Sequence, residues 1–164
     1  MTEKQLIKKA EKIVSALKEQ NLSLGVAESC TGGWLSKIFT EVSGVSAVYN
    51  GGICSYSNEI KIKLLGVNSE TLRLYGAVSE QTAKEMAEGA RVALNADIGV
   101  GITGIAGPAS DDTLKPVGLI YVAVANKSET TIKELRNNFT NDIRLNNRFS
   151  AVETALNLLG GLNE

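Results

Sequence analysis

The spacing of apolar residues along the chain predicts helices alternating with strands. Near the N-terminus, apolar residues recur at intervals of three and four with lysines and glutamates between them, as in an amphipathic helix. This first helix carries Leu6, Ile7, Ala10, Ile13, Val14 and Leu17. Further helices are predicted over 34–42, from an N-cap at Ser57 or Asn58 to Leu65, over 69–75 and 79–94, and over 144–159 with an end at Gly160-Gly161.

Short runs rich in β-branched and aromatic residues predict strands between these helices. The strands lie over 22–27, 47–56, 98–103, 117–125 and 130–139, and the last two form a hairpin. The pair Gly51-Gly52 predicts a bulge or a close backbone approach in the second strand. This order of elements predicts a single α/β domain over residues 1–164, with three layers in which a mixed β-sheet carries helices on both faces.

Composition and charge exclude several classes of protein. The chain has 164 residues, of which 43% are hydrophobic and 21% charged, and its formal net charge is -1. A protein that binds the phosphate backbone of nucleic acid needs a basic surface, so we expect no direct contact with nucleic acid. The sequence has no stretch of transmembrane length and no signal-peptide pattern, so we expect a cytoplasmic protein that does not bind membranes.

Histidine is absent from the sequence, and this excludes two common catalytic arrangements. Neither a Ser-His-Asp triad nor a Cys-His pair can be built from this chain. The two cysteines, Cys30 and Cys54, do not have metal-ligand spacing. If the protein is a hydrolase, its general base is therefore a residue other than histidine.

The glycine-rich turn after the first strand is the leading candidate for a site, because crevices in α/β sheets lie at the carboxyl ends of strands. Backbone N–H groups in such a turn can bind a phosphate or a developing oxyanion. Ser29 stands where a nucleophile would stand, and Cys30 is a rival because a helix N-terminus lowers the pKa of a thiol. The alternative is that Ser29 and Thr31 only cap the following helix.

Lysine is the candidate base for Ser29. A desolvated, neutral lysine can accept a serine proton, which requires its pKa to fall by roughly 3 from about 10.4. Lys61 lies on the apolar face of its helix and can point inward, whereas Lys63 lies on the other side. Tyr56 at the end of the preceding strand could share a proton with Lys61. The alternative is that Lys61 is an ordinary surface lysine.

Five sequence blocks, over about residues 5 to 160, resemble the CinA C-terminal domain family. They are Ala27-Glu28-Ser29-Cys30-Thr31-Gly32-Gly33, Tyr56-Ser57-Asn58-Glu59 with Lys61, Gly76-Ala77-Val78-Ser79, Gly104-Ile105-Ala106-Gly107-Pro108 and Lys115-Pro116-Val117-Gly118. The resemblance implies a three-layer α/β fold and hydrolysis of the carboxamide of nicotinamide mononucleotide, without metal or cofactor. It also implies that Ser29 attacks the amide, that Lys61 takes the serine proton and that Tyr56 holds or relays it.

The resemblance also directs attention to substrate-binding residues. These are Cys30, Thr31, Gly32 and Gly33 in the first turn, Thr103 and Gly104 after the third strand, and Arg144. The alternative for Gly104, together with Gly107, is that these glycines only turn the chain. Relatives often carry Phe-x-Gly-Asp-Arg before the last helix, whereas this chain has Phe139-Thr140-Asn141-Asp142-Ile143-Arg144. Arg144 therefore either takes over the binding of the substrate phosphate or is a solvated residue.

Two other functions stay open at this point. One is a catalytically silent nucleotide-binding module, which the glycine turns and the altered segment at Arg144 would suit. The other is an interaction protein linked to competence or DNA damage, which only the family's name suggests. The resemblance further implies a stand-alone form without the nucleotide-pyrophosphatase domain of longer relatives, and a homodimer or higher homo-oligomer.

Overall fold

The computed structural model describes residues 2–162, in which an open five-stranded sheet lies between two layers of helices. The helices are α1 (Glu3–Gln20), α2 (Trp34–Thr40), α3 (Asn58–Leu65), α4 (Ser69–Tyr75), α5 (Glu80–Ala93) and α6 (Ile143–Gly161). The strands are β1 (Leu24–Glu28), β2 (Tyr49–Cys54), β3 (Ile98–Gly104), β4 (Leu119–Ala125) and β5 (Thr130–Arg136). Residues 1, 163 and 164 of the predicted domain lie outside this description.

The sheet has the order β2-β1-β3-β4-β5 and is mixed. Strands β2, β1 and β3 are parallel, and β4 and β5 run antiparallel as the predicted hairpin. Helices α1, α2 and α6 cover one face over the main hydrophobic core, and α3, α4 and α5 cover the other. The predicted α/β fold with helices on both faces of a mixed sheet is therefore confirmed.

Alternate residues of strand β3 face the two different helical layers of the fold. Ile98, Val100 and Ile102 point into the main core. The intervening glycines face α5, where a Cβ on Gly99 would lie 2.0 Å from the carbonyl oxygen of Ala87. Because a side chain at Gly99 would collide with the helix backbone, the glycine allows α5 to lie directly on the sheet. This close packing brings the segment before α5 over the carboxyl end of β3.

Several predicted boundaries are wrong by a few residues. Strand β4 begins at Leu119 because Gly118 forms a turn with φ +88°, and β5 ends at Arg136. Helix α6 continues through Gly161, so Gly160 and Gly161 do not end the helix as predicted. A Cβ on either glycine would face open space, so packing does not require glycine there. The irregularity predicted at Gly51-Gly52 is confirmed, because the register between β1 and β2 shifts beside Gly51.

Candidate active site

A cleft of about 170 Å³ opens at the carboxyl ends of β1 and β3. The predicted catalytic residues meet there, although they come from separate parts of the chain. The lining residues are Ser29, Cys30, Tyr56, Lys61, Ala77, Val78, Thr103, Gly104, Ala106 and Arg144. The site therefore lies at the edge of the sheet where an α/β fold places binding crevices.

Lys61 and Ser29 form a buried pair at the floor of this cleft. The Nζ atom of Lys61 lies 3.1 Å from the Oγ atom of Ser29, and only 1% of Lys61 is exposed. The same nitrogen donates to the carbonyl oxygens of Ser55 at 2.7 Å and Tyr56 at 3.3 Å. Ser57 caps α3 by accepting the N–H of Ile60, as its sequence position predicts. The alternative of a surface lysine is therefore wrong.

Burial lowers the pKa of Lys61 to about 8, because desolvation destabilises the charged ammonium form. In the part of the chain that the structure describes, no carboxylate forms a salt bridge with Lys61 that would restore its pKa. At pH 7, about a tenth of the molecules then carry a neutral amine at this position. The amine is thus available as a base at a pH where an ordinary lysine is not.

The contacts of Lys61 direct its lone pair toward Ser29. A neutral amine has two N–H donors and one lone pair in a tetrahedral arrangement. The carbonyl oxygens of Ser55 and Tyr56 are the acceptors for the two donors. The remaining direction faces the Oγ of Ser29, which can then donate its proton to the nitrogen. The arrangement can therefore activate a serine nucleophile without histidine.

Glu28, which the sequence does not single out, organises the turn that carries Ser29. Its carboxylate is 1% exposed and accepts the N–H groups of Leu35 at 3.0 Å and Ser36 at 2.9 Å. It also accepts the hydroxyl of Thr31 at 2.6 Å. Glu28 therefore caps α2, and the expectation that Ser29 and Thr31 cap it is wrong. An acidic residue just before a turn and a helix is the signal that could have indicated this role.

Arg148 on α6 is a second residue that the sequence does not single out. Its Nε donates to the carbonyl oxygen of Cys30 at 3.1 Å, and its Nη2 donates to that of Thr31 at 2.8 Å. Its guanidinium lies 5.3 Å from the ring centroid of Trp34, the first residue of α2. No local pattern indicates this role, because the contacts span more than a hundred positions of the chain.

Cys30 does not have the environment of a reactive thiol. Helix α2 begins only at Trp34, so Cys30 lies in the turn before it. Burial raises the pKa of Cys30 to about 12. The expectation that the helix N-terminus lowers this pKa is therefore wrong, and the thiol is protonated at neutral pH.

Tyr56 and Arg144 form the rim of the cleft. Tyr56 contacts Lys61 through its backbone carbonyl, although the residue as a whole is 66% exposed. The phenolic oxygen accepts a hydrogen bond from Nη2 of Arg144 at 3.3 Å. Nη1 of Arg144 donates to the carbonyl oxygen of Gly107 at 3.0 Å. Arg144 is thus held at the mouth of the cleft, and the observed partner of the phenol is Arg144 rather than Lys61.

The other predicted substrate-binding residues divide into two groups. Thr103 lines the cleft and donates its hydroxyl to the carbonyl oxygen of Ala77 at 2.7 Å. Gly104 also lines the cleft, and a Cβ there would lie 2.6 Å from Ile120. The turn residues Thr31, Gly32 and Gly33 do not line it. Gly32 and Gly33 have φ values of +60° and +94°, so turning the chain accounts for both glycines.

Two further features concern residues 2–162 alone. No three or more Cys, Asp or Glu side chains in this range are placed to hold a metal ion. No helix in this range combines the length and the hydropathy that crossing a bilayer requires.

Fold and site together define an α/β protein with a buried Ser-Lys pair at the strand ends. Residues 6–162 match the CinA C-terminal domain, and the chain belongs to this family. A CinA-like protein of Thermotoga neapolitana is 44% identical over 146 residues, which are 89% of this chain and 36% of that protein. A protein of Thermoanaerobacter sp. (strain X514), described as competence-damage inducible, is 54% identical over 125 residues, which are 76% of this chain and 30% of that protein. The chain spans about a third of the length of these curated relatives.

Solved structures support the same assignment. The competence/damage inducible protein CihA of Agrobacterium tumefaciens is 38% identical with a TM-score of 0.92, over 100% of this chain and 98% of that one. A CinA superfamily protein of Klebsiella pneumoniae is 31% identical with a TM-score of 0.90, over 96% of this chain and 97% of that one. These proteins share the fold over nearly their whole length.

Proposed function

We propose that this protein is an amidohydrolase that converts nicotinamide mononucleotide and water into nicotinate mononucleotide and ammonia. The observation that carries the proposal is the 3.1 Å contact between Nζ of Lys61 and Oγ of Ser29 in a cleft at the strand ends. The substrate follows from the family resemblance, in which deamidation of this nucleotide is the best understood activity. The Ser-Lys pair supports the type of reaction, and the family supports the substrate.

The first half of the reaction forms an acyl-enzyme. Ser29 Oγ attacks the carboxamide carbon while neutral Lys61 takes the hydroxyl proton, so that a C–O bond forms and the carbonyl oxygen becomes an oxyanion. Backbone N–H groups of the turn after Ser29 stabilise this oxyanion. The intermediate then collapses, the C–N bond breaks, and the protonated Lys61 gives its proton to the leaving nitrogen. Ammonia departs, and the nicotinoyl group remains as an ester on Ser29.

The second half regenerates the enzyme. Water attacks the ester carbon, and Lys61, neutral again, takes a proton from it. When the tetrahedral intermediate collapses, the bond to Ser29 Oγ breaks and Lys61 returns the proton to that oxygen. The nicotinate carboxylic acid ionises after release. The protein's own residues therefore complete the proton transfers without any further acid or base.

The size of the cleft supports a ligand that enters only in part. A volume of about 170 Å³ lies below the roughly 300 Å³ at which sites for whole small molecules begin. We place the pyridine carboxamide in the cleft and the ribose phosphate outside it. Arg144 also lines a wider groove of about 500 Å³ beside the cleft. Its guanidinium is therefore positioned to pair with the phosphate.

The test is ammonia release from nicotinamide mononucleotide by the wild type, Lys61→Ala and Lys63→Ala. We expect ammonia from the wild type and a loss on the order of 10³-fold in Lys61→Ala, because the general base is removed. Lys63 is exposed on the same helix, so Lys63→Ala is a matched control and should retain full activity.

Three results would count against the proposal. Equal ammonia release from the wild type and Lys61→Ala would keep the reaction but remove Lys61 as its base. No ammonia from a folded wild type would remove the reaction. A melting temperature that rises with the nucleotide while none is consumed would then favour the silent binding module.

A further inference from the structure

Arg148 holds the turn that follows Ser29, and its contacts go to backbone oxygens. Its Nε and Nη2 bind the carbonyl oxygens of Cys30 and Thr31 at 3.1 and 2.8 Å. In the part of the chain that the structure describes, Arg148 forms no salt bridge with an acidic side chain. Its guanidinium carbon lies 5.3 Å from the ring centroid of Trp34. The positive charge of its guanidinium therefore interacts with the carbonyl groups of two consecutive peptide units.

These bonds orient the N–H groups of the turn. In a planar trans peptide the C=O and N–H bonds point in opposite directions. The carbonyl of Thr31 accepts from Arg148, so the N–H of Gly32 in the same peptide unit points away from Arg148. The carbonyl of Ser29 accepts the N–H of Gly32 at 3.1 Å, which orients the N–H of Cys30 in the same way.

The N–H of Cys30 is the donor of this turn that borders the cleft, because Thr31 is fully buried and does not line it. The N–H of Ser29 is engaged, since it donates to the carbonyl of Ile102 at 3.0 Å. Among residues 2–162, the N–H of Cys30 donates to no other residue. Cys30 directly follows Ser29 and lines the cleft. The residue after a nucleophile is a common source of oxyanion donors in serine hydrolases.

We infer that Arg148 is a positioning residue that presets the oxyanion site of the Ser29 turn, an inference that rests on the proposed acyl transfer. Its hydrogen bonds hold the peptide planes in place, and they polarise the amides so that the opposite N–H groups become stronger donors. Glu28 also holds this turn, because its carboxylate accepts the Thr31 hydroxyl. Donors that are oriented before the reaction need no reorganisation when charge develops.

Arg148 also lines the groove that contains Arg144, so direct contact with the substrate phosphate is the rival role. The two roles differ in kinetics. A residue that acts only on the oxyanion changes kcat, whereas a residue that binds phosphate changes KM. Arg91 offers a matched control, because its Nε also donates to a backbone carbonyl, that of Asp97, at the opposite end of β3.

The test compares Arg148→Met and Arg91→Met in ammonia release from nicotinamide mononucleotide. We expect kcat of Arg148→Met to fall by about 10- to 100-fold with KM within about threefold, and Arg91→Met to match the wild type. The midpoint of the pH profile should stay where the wild type has it, because the contacts of Lys61 are unchanged. If Arg148→Met does not fold, Arg148→Lys keeps the charge and should show an intermediate kcat.

A second readout does not depend on the substrate. A fluorophosphonate reacts with Ser29 so that the Oγ–P bond forms, the P–F bond breaks, fluoride leaves and Lys61 takes the proton. Its phosphoryl oxygen uses the same oxyanion donors, so labelling followed by intact mass should be at least about tenfold slower in Arg148→Met. Labelling of the wild type without ammonia release would contradict the proposed substrate and leave this inference intact.

Several outcomes would overturn the inference. One is a kcat and a labelling rate within twofold of the wild type in the folded variant. Another is a rise in KM at constant kcat, which would assign Arg148 to the phosphate. A shift in the pH midpoint would show that Arg148 acts through Lys61, and absence of Ser29 labelling in the wild type would remove the nucleophile itself.

Discussion

The floor and the rim of the candidate site are built by different physical means. At the floor, Lys61 is 1% exposed and is held by backbone carbonyls and by Ser29. At the rim, Tyr56 is 66% exposed, and its phenolic oxygen accepts one hydrogen bond of 3.3 Å from Arg144. Desolvation can change a pKa only where water is excluded, so the floor is suited to chemistry. Arg144 is exposed and yet held by hydrogen bonds to Gly107 and Tyr56, so the rim is suited to binding a charged group of a ligand.

This comparison predicts that substitutions at the floor change kcat and substitutions at the rim change KM. The largest effect is expected from Ser29→Ala, which removes the atom that attacks the amide in the proposed reaction. Ammonia release should fall on the order of 10³-fold or more. The measurement is kcat under saturating nicotinamide mononucleotide, with circular dichroism to verify the fold.

Cys30→Ala is the companion variant for that measurement. The Cys30 thiol has its pKa raised to about 12 by burial, so it is not a thiolate at neutral pH. Its removal should cost less than about tenfold in kcat. The opposite ranking, with Cys30→Ala inactive and Ser29→Ala active, would assign the nucleophile to the thiol.

The next effect is the dependence of activity on pH. Lys61 must be neutral to accept the serine proton, and burial lowers its pKa to about 8. Below this pH the amine carries a proton, so kcat/KM should fall by roughly tenfold per pH unit, and above it the profile should level off. A series from pH 6 to 10 measures the midpoint. Activity that declines above pH 8 would mean that the protonated lysine is the active form.

A smaller effect is expected at Arg144, which belongs to the rim. Arg144→Met should raise KM for nicotinamide mononucleotide by about tenfold, because one charge-assisted contact with the phosphate is lost. The value of kcat should stay within about threefold. Nicotinamide riboside has no phosphate and serves as the control substrate, for which the wild type and the variant should have equal KM. A loss of kcat at unchanged KM would instead show that Arg144 acts in the chemical step, as the floor residues do.

The smallest effect is expected from Tyr56→Phe. The substitution removes the bond to Arg144 but keeps the backbone carbonyl that accepts from Lys61. We expect kcat to fall by less than about fivefold. A loss of about 100-fold would place the phenol at the reacting atoms as a proton relay, and the division between floor and rim would then be wrong.

Much of this site was predictable because its signals are local. The position of Lys61 on the apolar face of α3 predicts an inward side chain, and the structure buries it. The predicted strand ends are also followed by glycine-rich turns in the sequence. Glu28 carries such a local signal, an acidic residue just before a turn and a helix, whereas Arg148 was not predictable in this way. The role of Arg148 depends on contacts with the turn that form only after α6 has packed against it.

The amino-acid sequence by itself determined the order of helices and strands, the absence of a histidine base and the candidate pair Ser29 and Lys61. Periodicity and residue type decide these points, and both are properties of the chain alone. Tertiary structure decided the 3.1 Å contact of that pair, the pKa of Lys61 and the placement of the Tyr56 phenol at the rim. Desolvation and distance depend on every atom that surrounds a group, and the chain supplies those atoms only by folding.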